Sequence, residues 1–435
     1  MEMKLNTPTL GGKIKAISSK SMAHRLLICA AFADRESDVV CEDTNADICA
    51  TAECLNALGA DIVRYGDTYH VTPISRVNKG AVLDCGESGS TLRFLLPIAS
   101  AIGADAAFVM HGRLPQRPLS PMFEELEQGG MSMSPQGTNP LLSSGALRHG
   151  DYTIAANISS QFVSGLMFAL PLIYKYGDAP AEELESSLTL TGEIESAPYI
   201  DMTLDALAEF GVKFEEGYPN LDNNESAKYK IPMSMEYRAP TDLRVEGDWS
   251  NAAFWLCAGA IGKKPVTVTS LNLGSRQGDM KILELLKKFG ADVIESGDQV
   301  TVTRRPLHGI RIDASQIPDL VPILAVVASV SEGETLIYGA SRLRIKESDR
   351  LVSVTNMLSA LGADIKETSD GLIIKGKPNL KGGSVHAEND HRIAMAAAIA
   401  STVCDGEVTV GDAQAVAKSY PKFWGDFEKL SKGNS

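Results

Sequence analysis

The stretch MKILELLKKFGADV (280–293) places apolar residues at Ile282, Leu285, Leu286 and Phe289 and then a glycine at Gly290. That i, i+3, i+4, i+7 spacing predicts a helix with one buried face, ended by a residue that enters the left-handed cap conformation without steric cost. The pattern recurs in TAECLNALGADI (51–62), SPMFEELEQGGM (120–131), TLDALAEFGVKF (203–214), VTNMLSALGADI (354–365) and PKFWGDFEKLSKG (421–433). The glycines are Gly59, Gly129, Gly211, Gly290, Gly362 and Gly433, at intervals of 70 to 82 residues. Most copies are followed by a short alternating stretch, such as TYHVTP (68–73) or DQVTVTRRP (298–306), so the unit reads as helix, glycine cap, antiparallel pair. Six copies at this period predict a mixed α/β (α+β) chain of stacked units sharing a core.

The sixth copy stops at Gly433, with only Asn434 and Ser435 after it. The strand-like N-terminal stretch MEMKLNTPTLGGKIKAI (1–17) is therefore expected to supply its missing strands. Both termini then share one domain, residues 1–17 plus 240–435, and residues 18–239 form an inserted domain, with three units in each. The crossings are expected near 16–19 and near 237–241, in the stretch EYRAPTD. Two hinge strands joining two lobes suit closure on a ligand.

Of the 435 residues 44% are hydrophobic and 22% charged, a globular, cytosol-like composition sufficient for two cores. No uncharged apolar run reaches the roughly 18 residues of a membrane helix, and the N-terminal stretch lacks the apolar core expected of a signal peptide. The seven cysteines show no C-x-x-C, so reduced, buried thiols are expected. The seven histidines include no H-E-x-x-H or H-x-H, so no metal is expected. A net charge of −14 argues against nucleic acid and anionic membranes as partners. The expected form is a cytoplasmic monomer that binds small molecules.

Against that acidic background, cations cluster at the starts of apolar helices. Lys20 and Arg25 lie in SSKSMAHRLLICAAFA (18–33), where Ser18, Ser19 or Ser21 is placed to cap. Gly86 and Gly89, with Ser90 and Thr91, form a turn in CGESGSTLRFLLPIASAIG (85–103) that lets backbone amides approach a ligand, although it is not a Walker A loop. Arg113 and Arg117 sit in HGRLPQRPLSPMFEEL (111–126), and Ser159, Ser160 and Gln161 open the helix in NISSQFVSGLMFALPL (157–172). SRLRIKESDRLVSV (341–354) is the densest cluster, with Arg342, Arg344, Lys346, Glu347, Asp349 and Arg350. His391 and Arg392 head an Ala-rich helix in ENDHRIAMAAAIAS (388–401), and Lys418 lies in AVAKSYPKFW (415–424). Taken singly, each reads as a capped helix or a solvated charge. Together, in both halves, they repeat one composition, helix N-terminus plus Arg or Lys, which is how a protein binds multiply anionic ligands.

In the same order, SKSMAHR, CGESGSTLR, RPLSPM, SSQFVSGLM, SAPYIDMT (196–203), VEGDWSNAAFWL (245–256), IPDLVPILAV (317–326), RIKESDRL (344–351), NDHRIAM (389–395) and AKSYPKF (417–423) resemble the motif set of the EPSP synthase family, the 3-phosphoshikimate 1-carboxyvinyltransferases. The resemblance implies the two-lobed enolpyruvyl-transferase fold of six βαβαββ units. It also implies attack of the 5-hydroxyl of shikimate 3-phosphate on C2 of phosphoenolpyruvate (PEP), with loss of phosphate and no cofactor. By that resemblance shikimate 3-phosphate meets Lys20, Ser21, Arg25, Ser159, Ser160, Gln161, Ser196, Asp319, Arg342 and Lys346. PEP meets Lys20, Gly89, Arg117, Gln161, Arg350, Arg392 and Lys418. The catalytic set is Lys20, Asp319, Glu347 and His391, with Asp319 as base, Glu347 as proton donor to the PEP methylene, and Lys20 as a rival for the acid–base work.

Three positions depart from the family pattern. Glu87 stands where Asn is usual, which implies weaker PEP binding unless the side chain turns outward or pairs with an arginine. Arg342 replaces a usual Asn, and Ser19 a common Gly. Gly89 is retained, which implies inhibition by glyphosate. The sister enzymes that act on UDP-N-acetylglucosamine resemble the chain less, because their cysteine loop would fall in HGRLPQRPLS (111–120), where this chain has none. A catalytically silent anion-binding paralogue is the remaining alternative.

Overall fold

The computed structural model describes residues 1–176, 186–231 and 236–432; Gly433, the expected sixth cap, lies outside them. The chain divides into two compact units, Lys20–Val245 and Met1–Ser19 with Glu246–Ser435.

The unit Lys20–Val245 contains helices α1 (Lys20–Ala31), α2 (Ala46–Leu58), α3 (Gly89–Ala101), α4 (Met122–Gln128), α5 (Ser160–Tyr176) and α6 (Ala197–Glu209), with three four-stranded sheets among its described residues. Each sheet repeats one plan. In one, Val82–Asp84 runs parallel to Ala107–Val109, which pairs antiparallel with Leu141–Ser144, which carries Ser132–Met133 at the edge. A parallel pair needs a crossover, and α3 supplies it. The first sheet is completed from the far end of the unit, by Leu243–Arg244 alongside Val39 and Val40.

The second unit carries α7 (Trp249–Ile261), α8 (Ile282–Phe289), α9 (Val321–Ser329), α10 (Arg350–Ala360), α11 (His391–Ala400) and α12 (Phe423–Lys432). Every residue of α7, α9 and α11 is buried, and the three pack on one another. A helix apolar on all sides belongs in the middle of a core. The helices found by periodicity are their outer partners: α8 buries Ile282, Leu283, Leu285, Leu286 and Phe289 and exposes Lys287 and Lys288.

Three expectations are corrected. The N-terminal stretch serves two sheets rather than one. Glu2–Leu5 pairs antiparallel with Val408–Gly411 in the sixth repeat, whereas Gly12–Lys15 runs parallel to Val266–Thr269 and opens the fourth. Gly129 is right-handed at φ −66°; the next residue, Gly130, takes the positive φ of 112°. The second crossing lies at Val245/Glu246 rather than within 237–241, and the first at Ser19/Lys20. The EYRAPTD segment is stitched into the inserted unit instead. The Tyr237 hydroxyl donates to the Phe168 carbonyl, the Ala239 amide to Asp34 Oδ1, and Arg35 Nη2 to the Ala239 carbonyl. The connecting segments also bond to each other, Ser19 N–H to the Glu246 carbonyl at 2.8 Å and Asp248 N–H to the Ile17 carbonyl at 2.8 Å.

Gly290 has φ +106°, and a Cβ there would sit 2.7 Å from the Pro306 carbonyl oxygen. Gly290→Ala is expected to cost about 1–3 kcal/mol of stability in urea denaturation. Gly297→Ala, at φ +61° with open space around it, is expected to cost only roughly 1 kcal/mol.

Candidate active site

In the unit Lys20–Val245 the expected site residues stand at helix N-termini, where unpaired amides and the helix dipole favour anions. Lys20 is the first residue of α1, and its Nζ donates to Asp47 Oδ2 at 2.7 Å. Gly89 is the first residue of α3, and Ser88 caps it by accepting from the Thr91 amide. The Arg117 guanidinium lies directly over Gly89, so that a Cβ there would be 2.8 Å from Nη1. Gln161 sits at the start of α5 and donates to Ser90 Oγ at 2.9 Å, while accepting from Arg93 Nη1 at 2.7 Å. Arg93 Nη2 also reaches the Pro118 carbonyl. Arg93 thereby ties α3, α5 and the Arg117 loop into one piece. No sequence reading singled it out, although a lone arginine inside the apolar run STLRFLLP was the available signal.

Arg25 is 2% exposed and heavily bonded within its own unit. Its Nε donates to Thr203 Oγ1, Nη1 to the Ser21 carbonyl, and Nη2 to the Tyr199 carbonyl and Ser164 Oγ. Burial lowers its pKa to about 10. Ser160 and Ser196 are buried. Ser159 Oγ accepts from the Gln161 amide, and Ser196 takes φ 55° immediately before α6. Ser21 is half-buried beside Lys20. The Glu87 carboxylate occupies the space that a side chain on Gly112 would take.

In the other unit one buried cluster gathers the densest charges. Arg350, 1% exposed, donates from Nη1 to Asp319 Oδ1 at 2.7 Å, from Nη2 to Glu347 Oε2 at 2.7 Å, and from Nε to Asp390 Oδ2 at 2.8 Å. Arg392 Nη2 lies 3.2 Å from Asp319 Oδ2, and Lys346 Nζ lies 3.8 Å from Asp319 Oδ1. Burial alone would raise the Asp319 pKa, but Arg392, Lys346 and Arg350 together hold it well below the usual carboxylate range. Lys346 is lowered to about 8 because burial outweighs the attraction of Asp319.

Asp390, assigned no role from sequence, is the cluster's second anchor. It caps α11 through the Arg392 amide and accepts from Ser348 as well as from Arg350. Its place directly before the Ala-rich helix was a readable N-cap signal. His391 beside it is 3% exposed. Asp279 was also missed; burial and the nearby Asp319 charge push it up to about 7, and Ser250 donates to it. Lys418 Nζ donates to the Asn389 carbonyl at 2.6 Å, and Arg342 Nη2 to the Ser315 carbonyl at 2.8 Å.

Among the described residues no His/Cys/Asp/Glu group could hold a metal ion, and no helix is long and apolar enough to cross a membrane. The chemistry on offer is electrostatic: ionised carboxylates, fixed guanidinium groups and helix amides, suited to holding anions while a proton moves.

Comparison with known proteins agrees with that chemistry. A 3-phosphoshikimate 1-carboxyvinyltransferase of Clostridium perfringens is 42% identical over 435 residues, covering 99% of this chain and 98% of that protein. The solved EPSP synthase of Acinetobacter baumannii superposes with a TM-score of 0.77 at 24% identity, over 97% of this chain and 96% of its own. The enolpyruvyl transferase NikO of Streptomyces tendae superposes at 0.72 with 17% identity, over 98% and 96%. These superpositions speak for the enolpyruvyl-transferase fold, which leaves the acceptor open. The family sequence model for EPSP synthase (3-phosphoshikimate 1-carboxyvinyltransferase) matches residues 6–427, and with the Clostridium relative it places the acceptor question within one family. The chain belongs to the EPSP synthase family.

Proposed function

We propose that the protein transfers the enolpyruvyl group of PEP to the 5-hydroxyl of shikimate 3-phosphate, a step in making aromatic amino acids. The observation that carries this reading is the buried cluster in which Asp319 stays ionised between Arg392, Lys346 and Arg350. The hydroxyl oxygen adds to C2 of PEP, its proton goes to Asp319, and C3 of PEP gains a proton. Phosphate then leaves as a proton is lost from the new methyl group, restoring the double bond. Glu347, which lies 2.7 Å from Arg350 Nη2 and must take up a proton before it can act, is the proton donor to C3, with Lys20 as the rival. His391 completes the catalytic set.

A carboxylate with a depressed pKa is a weak base. Its basicity rises when anionic substrates draw Lys346 and Arg392 away from it, so substrate binding itself readies Asp319. Lys346 is assigned with Asp319, Arg342, Lys20, Ser21, Arg25, Ser159, Ser160, Gln161 and Ser196 to shikimate 3-phosphate. Lys20, Gln161, Gly89, Arg117, Arg350, Arg392 and Lys418 are assigned to PEP. We read the protein as a cytoplasmic monomer that needs no cofactor.

Purified protein is expected to release phosphate from PEP with shikimate 3-phosphate and not with UDP-N-acetylglucosamine. Asp319→Asn should lower kcat by about 10²–10⁴. Release with the sugar nucleotide would move the protein to the sister activity; silence with both, in folded protein, would favour a binding role.

Protonated Lys346 attracts the substrate phosphate, and that charge is lost as pH rises through its folded pKa of about 8. The kcat/KM for shikimate 3-phosphate should therefore fall above pH 8. Lys346→Arg, charged until far higher pH, should remove that alkaline limb while lowering the plateau.

Gly89→Ala puts a methyl group 2.8 Å from Arg117 Nη1. Moving that guanidinium should raise KM for PEP about tenfold or more, the worth of one charge-assisted hydrogen bond. Parent protein should be inhibited by glyphosate.

A further inference from the structure

A single file of hydroxyl groups crosses the interior between α1, α2 and α3. His24 Nδ1 lies 2.7 Å from Thr51 Oγ1, and Thr51 Oγ1 lies 2.7 Å from Thr91 Oγ1. Thr91 Oγ1 donates to Ser88 Oγ at 2.7 Å, and Ser88 Oγ also accepts the Thr91 amide at 3.2 Å. None of the four is more than 1% exposed. The reaction described above uses none of them, yet the file begins one turn after Lys20 and ends on the residue preceding Gly89.

The file has a direction. A threonine hydroxyl carries one proton. Thr91 gives its proton to Ser88, since the Asp47 carbonyl, its other acceptor, is farther away at 3.4 Å. Thr91 must then accept from Thr51, and Thr51, its proton spent, must accept from His24 Nδ1–H. That leaves Nε2 as the bare nitrogen, and it is buried with no hydrogen-bond partner among the described residues. A bare acceptor nitrogen beside the Phe94 ring, whose centroid is 6.3 Å from that of His24, costs less to bury than an unpaired N–H of a charged imidazolium. Burial, reinforced by Lys20 and Arg25 on the same helix, holds the imidazole pKa well below its ordinary value. Asp47 of α2 faces the same region but is engaged by Lys20 Nζ.

We propose that His24 is a positioning residue, which as a neutral Nδ1–H imidazole anchors the Thr51–Thr91–Ser88 file and so sets the place of the Gly86–Gly89 turn relative to the Lys20 helix. On the reading given above, which this inference rests on, that turn presents its amides and Arg117 to PEP, so the file governs PEP affinity. Misplacement of a binding amide by a fraction of an ångström is enough to weaken an anion site.

The test breaks the file at its middle in the full chain. Thr51→Val keeps the shape and removes the hydroxyl, whereas Thr51→Ser keeps the hydroxyl. Thr51→Val should raise KM for PEP about tenfold with kcat within about twofold, leaving the calorimetric affinity for shikimate 3-phosphate unchanged. Thr51→Ser should recover the parent KM. The amide shifts of Gly86 and Gly89 in ¹⁵N-labelled protein should move in Thr51→Val and return in Thr51→Ser. Histidine ¹⁵N correlation spectra of the parent should show His24 as the Nδ1–H tautomer, without titration between pH 5.5 and 9. An Nε2–H tautomer, titration near the ordinary value, or unmoved glycine amides and KM in Thr51→Val would overturn the proposal. A parent that releases no phosphate would defeat the functional reading alone, because the tautomer and the glycine shifts still decide the positioning role.

Discussion

A helix that is buried on every side has to be covered on every side, and this requirement organises the unit of Met1–Ser19 with Glu246–Ser435. Helices α7, α9 and α11 bury all their residues, so sheets and amphipathic outer helices must surround them. What such helices leave for polar chemistry is their ends. The polar and charged groups of the candidate site accordingly gather there: Lys20 opens α1, Gly89 opens α3, Gln161 follows the first residue of α5, and His391 and Arg392 open α11. The dense packing that stabilises the core also aims helix amides at a small number of places.

At one of those places the second unit concentrates charge. Arg350 is enclosed by Asp319, Glu347 and Asp390, and Asp319 is shared with Arg392 and Lys346. Removing one partner from a buried, hydrogen-bonded pair costs about 3–5 kcal/mol, much of it from the charge left behind. Each carboxylate of the cluster is therefore tied to the position of Arg350 and its neighbours. The inserted unit uses neutral and cationic bridges for the same end. Arg93 and Gln161 lock the Gly89 turn to α5, and the hydroxyl file from His24 locks it to α1.

Much of this was legible in residue order. The 3.6-residue periodicity of ILELLKKF and its glycine marked the outer helices, and residue order also showed that Lys and Arg stand at helix starts. What periodicity missed is instructive. The all-apolar helices carry no moment to read, so their role in the core emerged only from packing. Asp390, assigned no role from sequence, is a carboxylate of the Arg350 hub, because nothing local says that the N-termini of α10 and α11 come together. Gly129 and Gly130 are adjacent, and only the backbone shows which of them turns left-handed. The EYRAPTD segment has the composition of a linker, yet Asp34, Arg35 and Phe168 hold it against the inserted unit.

By itself, then, the sequence determined the repeat, the helix and strand types, and the kind of ligand, since these depend on side-chain pattern within a few turns of chain. Tertiary structure alone decided which sheet each half of the N-terminal stretch joins, where the chain passes between units, and which carboxylates surround Arg350. Those outcomes depend on pairings between residues far apart in the chain, where strand register and the demand that every buried charge find a partner select one arrangement.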